Sequence, residues 1–207
     1  MVVLLDYLEA EKMLRKYGIK TARSAYIKSG EEAVSFSGGK PIVMKVLSQQ
    51  ALHKSKSGLV KLNLYNEDKI IDAFSYLEKQ AKALKLKDYR ILAQEMAPNG
   101  IEIIVGGKTD PQFGKLILLG LGGIYVEAFK DVALRVCPIS SYDAKSMISQ
   151  LKSRSIIASS PESASMVESL LMRASKMIME NDISELDLNP IILHSNGYVA
   201  VDLRVMK

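Results

Sequence analysis

Polar and apolar residues alternate most strictly near the end of the chain, where Glu185-Leu186-Asp187-Leu188-Asn189-Pro190 leads through Asn196-Gly197 into Tyr198-Val199-Ala200-Val201-Asp202. Successive side chains of a strand point to opposite faces, so Glu185, Asp187 and Asn189 share one face and Leu186 and Leu188 the other. Asn-Gly favours a two-residue hairpin turn because both positions tolerate positive φ, a register that sets Ile191 opposite Asp202 and Asn189 diagonally beside it. Diagonal neighbours lie about 7–8 Å apart, near enough for two oxygen side chains to share a cation. The competing reading is an edge hairpin whose polar face meets water.

The same patterns divide the rest of the chain. Asp6 and Glu9 precede Ala10, Met13, Leu14 and Tyr17 at helical spacing, which predicts a capped amphipathic helix stopped by Gly18. Residues 24–27 read as a short strand, Gly38-Gly39 as a turn and 41–47 as a nearly continuous apolar strand. Ile70, Ile71, Phe74, Leu77 and Ala81 predict a helix over 66–84 that covers the first sheet. Residues 89–96 predict a strand, with 101–105 returning as its partner and opening a second sheet. Another strand over 115–119 runs into Gly120-Leu121-Gly122-Gly123. That cluster lacks the Gly-Lys-Ser/Thr ending of a P-loop and the spacing of a dinucleotide fingerprint, so it reads as a tight turn into 124–127, followed by a strand over 133–137. Ser141 is expected to cap a helix through 149, 153–160 to form a loop, and Ser160-Pro161-Glu162 to start a helix whose stripe from Met166 to Ile178 packs in a core.

Composition narrows the function more than the fold. A 207-residue chain with 48% hydrophobic and 25% charged residues buries a core as one domain or two lobes. Its net charge of +5 favours anionic ligands, yet the basic residues are dispersed, and 6% aromatics without Trp offer little platform for stacking bases. A nucleotide satisfies that bias, and nucleic-acid binding is not expected. Cys137 is the single cysteine, which rules out an intrachain disulfide and a cysteine-cluster metal site. The sequence has no signal-peptide pattern and no apolar run of spanning length, so a soluble, cytoplasmic protein with no membrane partner is expected.

Two features carry candidate chemistry away from the hairpin. Lys45 interrupts an apolar strand and must reach water, a carboxylate or a bound anion, or else guard a sheet edge. The segment 49–58 is small, polar and basic, with Lys54, Lys56, Ser55 and Ser57 around His53, and reads either as an anion-binding loop or as a plain solvated one. A neutral imidazole accepts a phosphoryl group as a nucleophile, which makes His53 the sharper candidate. His194, beside the hairpin turn, reads as a surface residue. Gln94, Glu95 and Glu102 read equally as strand-end polarity.

Taken together, Tyr17-Gly18-Ile19, Pro41-Ile42-Val43-Met44-Lys45, Leu52-His53-Lys54-Ser55, Gln94-Glu95-Met96, Asp110-Pro111-Gln112-Phe113-Gly114, Gly120-Leu121-Gly122-Gly123-Ile124, Lys130-Asp131 and Glu185-Leu186-Asp187-Leu188-Asn189-Pro190 with Asp202 resemble an ATP-grasp domain. More narrowly, they resemble the beta subunit of ADP-forming acyl-CoA (acetate-CoA) ligases, relatives of succinyl-CoA synthetase. The resemblance implies an α+β, ATP-grasp fold of two lobes with antiparallel sheets clamping a nucleotide, divided as an N-terminal helix over 1–20, a first lobe over 21–93 and a second over 94–207. It implies that Lys45 touches nucleotide phosphates, that Gln94, Glu95 and Met96 line the adenine hinge, that Glu102 contacts the ribose, and that Asn189 and Asp202 hold Mg²⁺. The implied reaction is acyl-CoA + ADP + phosphate to carboxylic acid + CoA + ATP, reversible, through phosphohistidine. It also implies a CoA-binding alpha subunit that carries the principal phosphohistidine, with ATP or ADP as the substrate here. Within that scheme His53 is a second phosphate carrier and Asp187 orients an imidazole.

The sequence departs from the family pattern in two places. The helix expected between Glu32 and Gly39 is abbreviated, and the usual Ser-Asp-x-Gly-Gly after His53-Lys54 is replaced by Ser55-Lys56-Ser57-Gly58-Leu59. The alternatives are another ATP-grasp carboxylate ligase, which has no need of Leu52-His53-Lys54-Ser55, and a nucleotide-binding assembly subunit without turnover.

Overall fold

The computed structural model of the protein describes residues 3–48, 50, 58–123 and 131–207. Its elements, in chain order, are α1 (Tyr7–Lys16), β1 (Ser24–Ile27), α2 (Gly30–Ser37), β2 (Ile42–Leu47), β3 (Val60–Leu64), α3 (Glu67–Ala83), β4 (Arg90–Glu95), β5 (Ile101–Asp110), β6 (Gly114–Leu121), β7 (Val132–Val136), α4 (Ser141–Gln150), α5 (Arg154–Ile157), α6 (Pro161–Glu180), β8 (Glu185–His194), β9 (Gly197–Ala200) and β10 (Leu203–Met206). They fall into two units, one of Met1–Thr21 with Ala97–Lys207 and one of Ala22–Met96. The N-terminal helix, set apart at 1–20 in the sequence reading, therefore joins the larger unit, and the division after Met96 lies three residues past the expected 93.

The smaller unit is an antiparallel sheet in the order β1-β4-β2-β3 with α2 and α3 on one face. Each helix starts where a side chain satisfies an orphan amide: Ser29 accepts from the Glu32 N–H and Asn66 from the Lys69 N–H. Gly38 at φ 54° and Gly39 at φ 79° then turn the chain out of α2, a conformation that costs glycine nothing. The core joins Ile42, Met44 and Val46 of β2 to Ile70, Ala73 and Leu77 of α3. The sequence pattern does not predict β3. Its register against β2 shifts between Ile42 and Met44, and Asn63 sits there at φ 56°, so a bulge breaks the period-two pattern that would have announced the strand.

In the larger unit the strand order is β10-β8-β5-β6-β7, with β9 paired to β8. β5 pairs with β6 and β8, which corrects the expected pairing with β4; the two strands are neighbours in sequence but belong to different sheets. Capping boxes start α4 at Ser140 with Asp143, one residue before the expected Ser141, and α6 at Ser160 with Ser163. The stripe of α6 packs as predicted, with Leu170, Leu171, Ala174 and Met177 fully buried. Part of the expected 153–160 loop is the short helix α5, held by Ile157 in the core. The expected strand at 124–127 and most of the basic segment 49–58 lie outside the described residues.

Candidate functional site

On the smaller unit, Lys45 is no edge charge. β2 has β4 on one side and β3 on the other, so Lys45 sits opposite both Leu92 and Val60 in a sheet interior, and it is only 8% exposed. Since Met44 and Val46 point into the helix-covered core, the alternation turns Lys45 and Val43 to the opposite face. Gln94 pairs across the ladder with Val43 and so shares the face of Lys45. It is buried, and its amide donates to the Ser24 hydroxyl at 3.1 Å. A buried ammonium is costly unless hydrogen-bond acceptors or an opposite charge compensate it.

Glu95 has a more definite setting than strand-end polarity. Its carboxylate accepts from Arg23 Nε at 3.0 Å and lies 3.8 Å from Lys40 Nζ. Arg23 is held in turn by the Phe36 carbonyl at 2.7 Å and lies 4.1 Å over the Phe36 ring. The backbone N–H of Glu95 donates to the Arg23 carbonyl and that of Met96 to the Pro41 carbonyl, at 2.9 and 3.0 Å. The end of β4 is thereby fixed in place.

On the larger unit the hairpin is real but its register differs from the expectation by two residues. His194 pairs with Gly197 and Ile191 with Ala200, so Ser195 and Asn196 make the turn and Gly197 is already in strand. His194 Nδ1 accepts from the Asn196 N–H at 3.3 Å, a turn role. The shift places Asn189 directly opposite Asp202 rather than diagonal to it: the Asn189 N–H donates to the Asp202 carbonyl and the Val201 N–H to the Pro190 carbonyl, both at 3.2 Å. Between Ile103 and Val105 the pairing of β5 shifts from Ile191 to Leu188, so Asn189 and Pro190 together oppose Ile104. This bulge changes the phase of β8, leaving Leu188 and Ile191 both buried with the two intervening residues turned outward.

The face of this sheet that carries Asp187 is ordered in rows. Register aligns Arg204 of β10, Asp187 of β8, Gly106 of β5, Leu118 of β6 and Leu134 of β7 across five strands. Gly107, one residue on, faces the other way, toward Ile178 of α6, so the row lies on the face away from that helix. Arg204 also reaches Glu185 at 3.2 Å, which gives Glu185 a partner in the same strand pair. Glu102 is exposed two pleats along β5. Its carbonyl accepts from the Gly122 N–H at 2.7 Å, and a Cβ on Gly122 would come within 2.9 Å of Glu102. The cluster Gly120-Leu121-Gly122-Gly123 therefore serves close approach to the strand bearing Glu102, with φ 73° at Gly123 making the turn.

His53 lies outside the described residues, as does Lys130. Asp131 acts as an anchor: burial pushes its carboxyl up, but the N–H groups of Lys152 and Ser153, each at 2.8 Å, help hold it below the usual carboxylate range. Asp110 caps the β5–β6 turn by accepting from the Phe113 and Gln112 N–H groups, which lower its pKa. Burial raises the Cys137 thiol pKa, so it is not poised for nucleophilic work. Arg204 and Gly106 were not singled out from sequence. Arg204 could have been found, since it lies two residues from Asp202, but the register that puts it beside Asp187 is a property of the fold.

Among the described residues no cluster of three or more His, Cys, Asp or Glu forms a closed metal cage. The pair Asn189 and Asp202 offers an amide and a carboxylate oxygen, the hard donors that suit Mg²⁺ when phosphate and water complete its octahedron. No described helix is long and apolar enough to cross a membrane.

An α+β chain with these two antiparallel sheets defines a class: the sequence model of the ATP-grasp domain matches residues 2–206, and the chain belongs to that family. Within it the chain stands with the beta subunits of ADP-forming acetate-CoA ligases. It is 37% identical over 207 residues to the beta subunit of acetate-CoA ligase [ADP-forming] I of Pyrococcus furiosus, covering 96% of this chain and 89% of that one. Other curated relatives are longer single chains, of which it spans 28 to 30%. Among solved structures, dinucleotide forming acetyl-coenzyme A synthetase 1 of Ca. Korarchaeum cryptofilum, in complex with coenzyme A and Ca-AMPCP, superposes with a TM-score of 0.90 at 38% identity over 99% of this chain and 92% of that one. The same relative with Mg-AMPPCP, its phosphohistidine segment pointing towards the nucleotide binding site, gives a TM-score of 0.82 at 37% identity over 98% and 92%.

Proposed function

We propose that this chain is the nucleotide-binding beta subunit of an ADP-forming acyl-CoA synthetase and forms ATP from ADP with a CoA-binding alpha subunit. In the overall reaction phosphate displaces CoA from the acyl-CoA. The acyl phosphate then passes its phosphoryl group to a histidine of the alpha subunit, releasing the carboxylate, and the N–P bond of that phosphohistidine breaks as ADP takes the group. Lys45 contacts the phosphates; Gln94, Glu95 and Met96 border the adenine and Glu102 the ribose. Asn189 and Asp202 hold Mg²⁺, which neutralises phosphate charge during transfer. His53 relays the phosphoryl group, and Asp187 orients an imidazole by accepting its N–H.

The observation that carries this reading is the direct opposition of Asn189 and Asp202 in a bulged hairpin. The test is co-expression with a CoA-binding alpha subunit and assay of acyl-CoA- and phosphate-dependent ATP formation. ATP that appears only with both chains present is the expected result. No ATP with any acyl-CoA in the assembled complex sinks the proposal. Unchanged turnover in His53→Ala removes the relay while leaving the rest.

A further inference from the structure

Arg204 of β10 and Asp187 of β8 stand directly opposite each other in the larger unit. Opposite charges in that position attract across an antiparallel pair, so the register by itself favours an Arg204–Asp187 contact. The guanidinium takes another course. Its Nη2 donates to Glu185 Oε1 at 3.2 Å and to Met206 Sδ at 3.3 Å. Glu185 and Met206 face each other in the next row of the sheet, so both contacts draw Arg204 in one direction, along the strands and off the carboxylate it opposes.

Stability does not account for this course. The Arg204 and Glu185 side chains remain 37% and 43% exposed, and an ion pair so open to water contributes little to folding. The pose also leaves Arg204 Nε buried with no hydrogen-bond partner, which is a cost. An arrangement that gains little and leaves a buried donor unbonded is better explained by what it prevents. A guanidinium carries five donors in a rigid fork and takes both oxygens of a carboxylate at once. Laid on Asp187, it would compete directly with an imidazole N–H for the same acceptor. Lys108, opposite Glu185 on β5, is the other cation beside this acid, but its single nitrogen lacks that fork.

We propose that Glu185 is a positioning residue for phosphoryl transfer, which holds Arg204 aside and so keeps the guanidinium from competing for the Asp187 carboxylate. The proposal rests on the role given to Asp187 above and extends it to an acid two residues earlier in β8. Glu185 acts through Arg204 alone. Its charge is needed because Arg204 is there, and in the absence of Arg204 it is dispensable.

Two measurements test this role. The first needs no turnover: a crystal structure of the full chain carrying Glu185→Ala. The Arg204 guanidinium is expected within hydrogen-bond distance of the Asp187 oxygens. An Arg204 that keeps its wild-type course, or turns to solvent, overturns the proposal. The second uses the complex assembled with the alpha subunit. Glu185→Ala should lower kcat for ATP formation about tenfold, the scale of losing one hydrogen bond to a charged group, with the KM for ADP unchanged. Its unfolding temperature should move little, since the pair is exposed. Adding Arg204→Gln to Glu185→Ala should bring kcat back to the wild-type value, a rescue that a merely structural role for Glu185 does not give. Unchanged kcat in Glu185→Ala, or a defect that persists in the double variant, overturns the proposal. A wild-type complex that makes no ATP overturns the function instead, and the structure of Glu185→Ala then decides the positioning alone.

Discussion

The two sheets hold their polar residues by different means. In the smaller unit side chains hold side chains: Gln94 is tied to Ser24, and Glu95 to Arg23, which Phe36 supports from below. The glycines of that unit lie at a helix start or in turns, and its strands contain none. In the larger unit backbone offsets do the work. A bulge turns Asn189 outward, register sets Asp202 against it, and Gly106, Gly107 and Gly120 lie within strands. The first arrangement tolerates backbone adjustment but not loss of a partner. The second tolerates exchange of many side chains but not a change of spacing.

That contrast can be broken at graded cost. Asp202→Ala removes one of two opposed oxygen donors and should weaken Mg-ADP binding about a hundredfold, measured by calorimetry with and without Mg²⁺. An unchanged affinity would return the hairpin to a plain polar edge. Gly107→Ala places a Cβ 2.6 Å from Ile178 Cδ1 and should destabilise the chain by about 1–3 kcal/mol, seen as a lower unfolding temperature. Gly106→Ala, one residue away, serves as the control. Gln94→Leu removes the amide's bond to the Ser24 hydroxyl, which keeps its own bond to the Ala22 carbonyl, and should cost about 1 kcal/mol in denaturant unfolding, a test of the side-chain rule in the smaller unit.

Glu11 gives the smallest and most discriminating effect, because it is a side-chain arrangement inside the larger unit. Burial raises its pKa above the ordinary 4.5, opposed by Arg15 and the Thr21 hydroxyl. The folded chain therefore binds this proton more tightly than the unfolded one. The resulting stabilisation is complete below about pH 4.5 and is lost as pH rises through the raised value. Glu11→Gln should remove that part of the slope in urea unfolding between about pH 4 and 7.

Much of the architecture was legible where one period ran long enough. The stripe of α6, the apolar run of β2 and the alternation of β8 each declared an element and its buried face. What escaped depends on distances between chain segments. β4 and β5 read as a hairpin because they are adjacent in sequence, yet nothing local records that each has other partners. The turn was misplaced because Asn196-Gly197 suits a two-residue loop so well that Gly197 was counted into it, although it pairs with His194. Lys45 was visible as an anomaly, but its burial follows from β3, the strand that Asn63 disguises. The site was legible in the same measure. Asn189 and Asp202 stood out as oxygen donors, while the row that joins Asp187 to Gly106 exists only in register.

The bulge at Asn189-Pro190 also has a consequence for engineering the hairpin. Ahead of it the odd-numbered residues of β8 look outward and the even-numbered ones are buried; beyond it Ile191 and Leu193 reverse that parity. Deleting one of the two residues would turn one arm of the strand inside out, exposing leucines or burying carboxylates. Extra residues at Ser195-Asn196 would lengthen only the tip. A graft of this hairpin onto another sheet must therefore carry Asn189 and Pro190 together, with Val201 and Asp202 across from them, as one indivisible cassette.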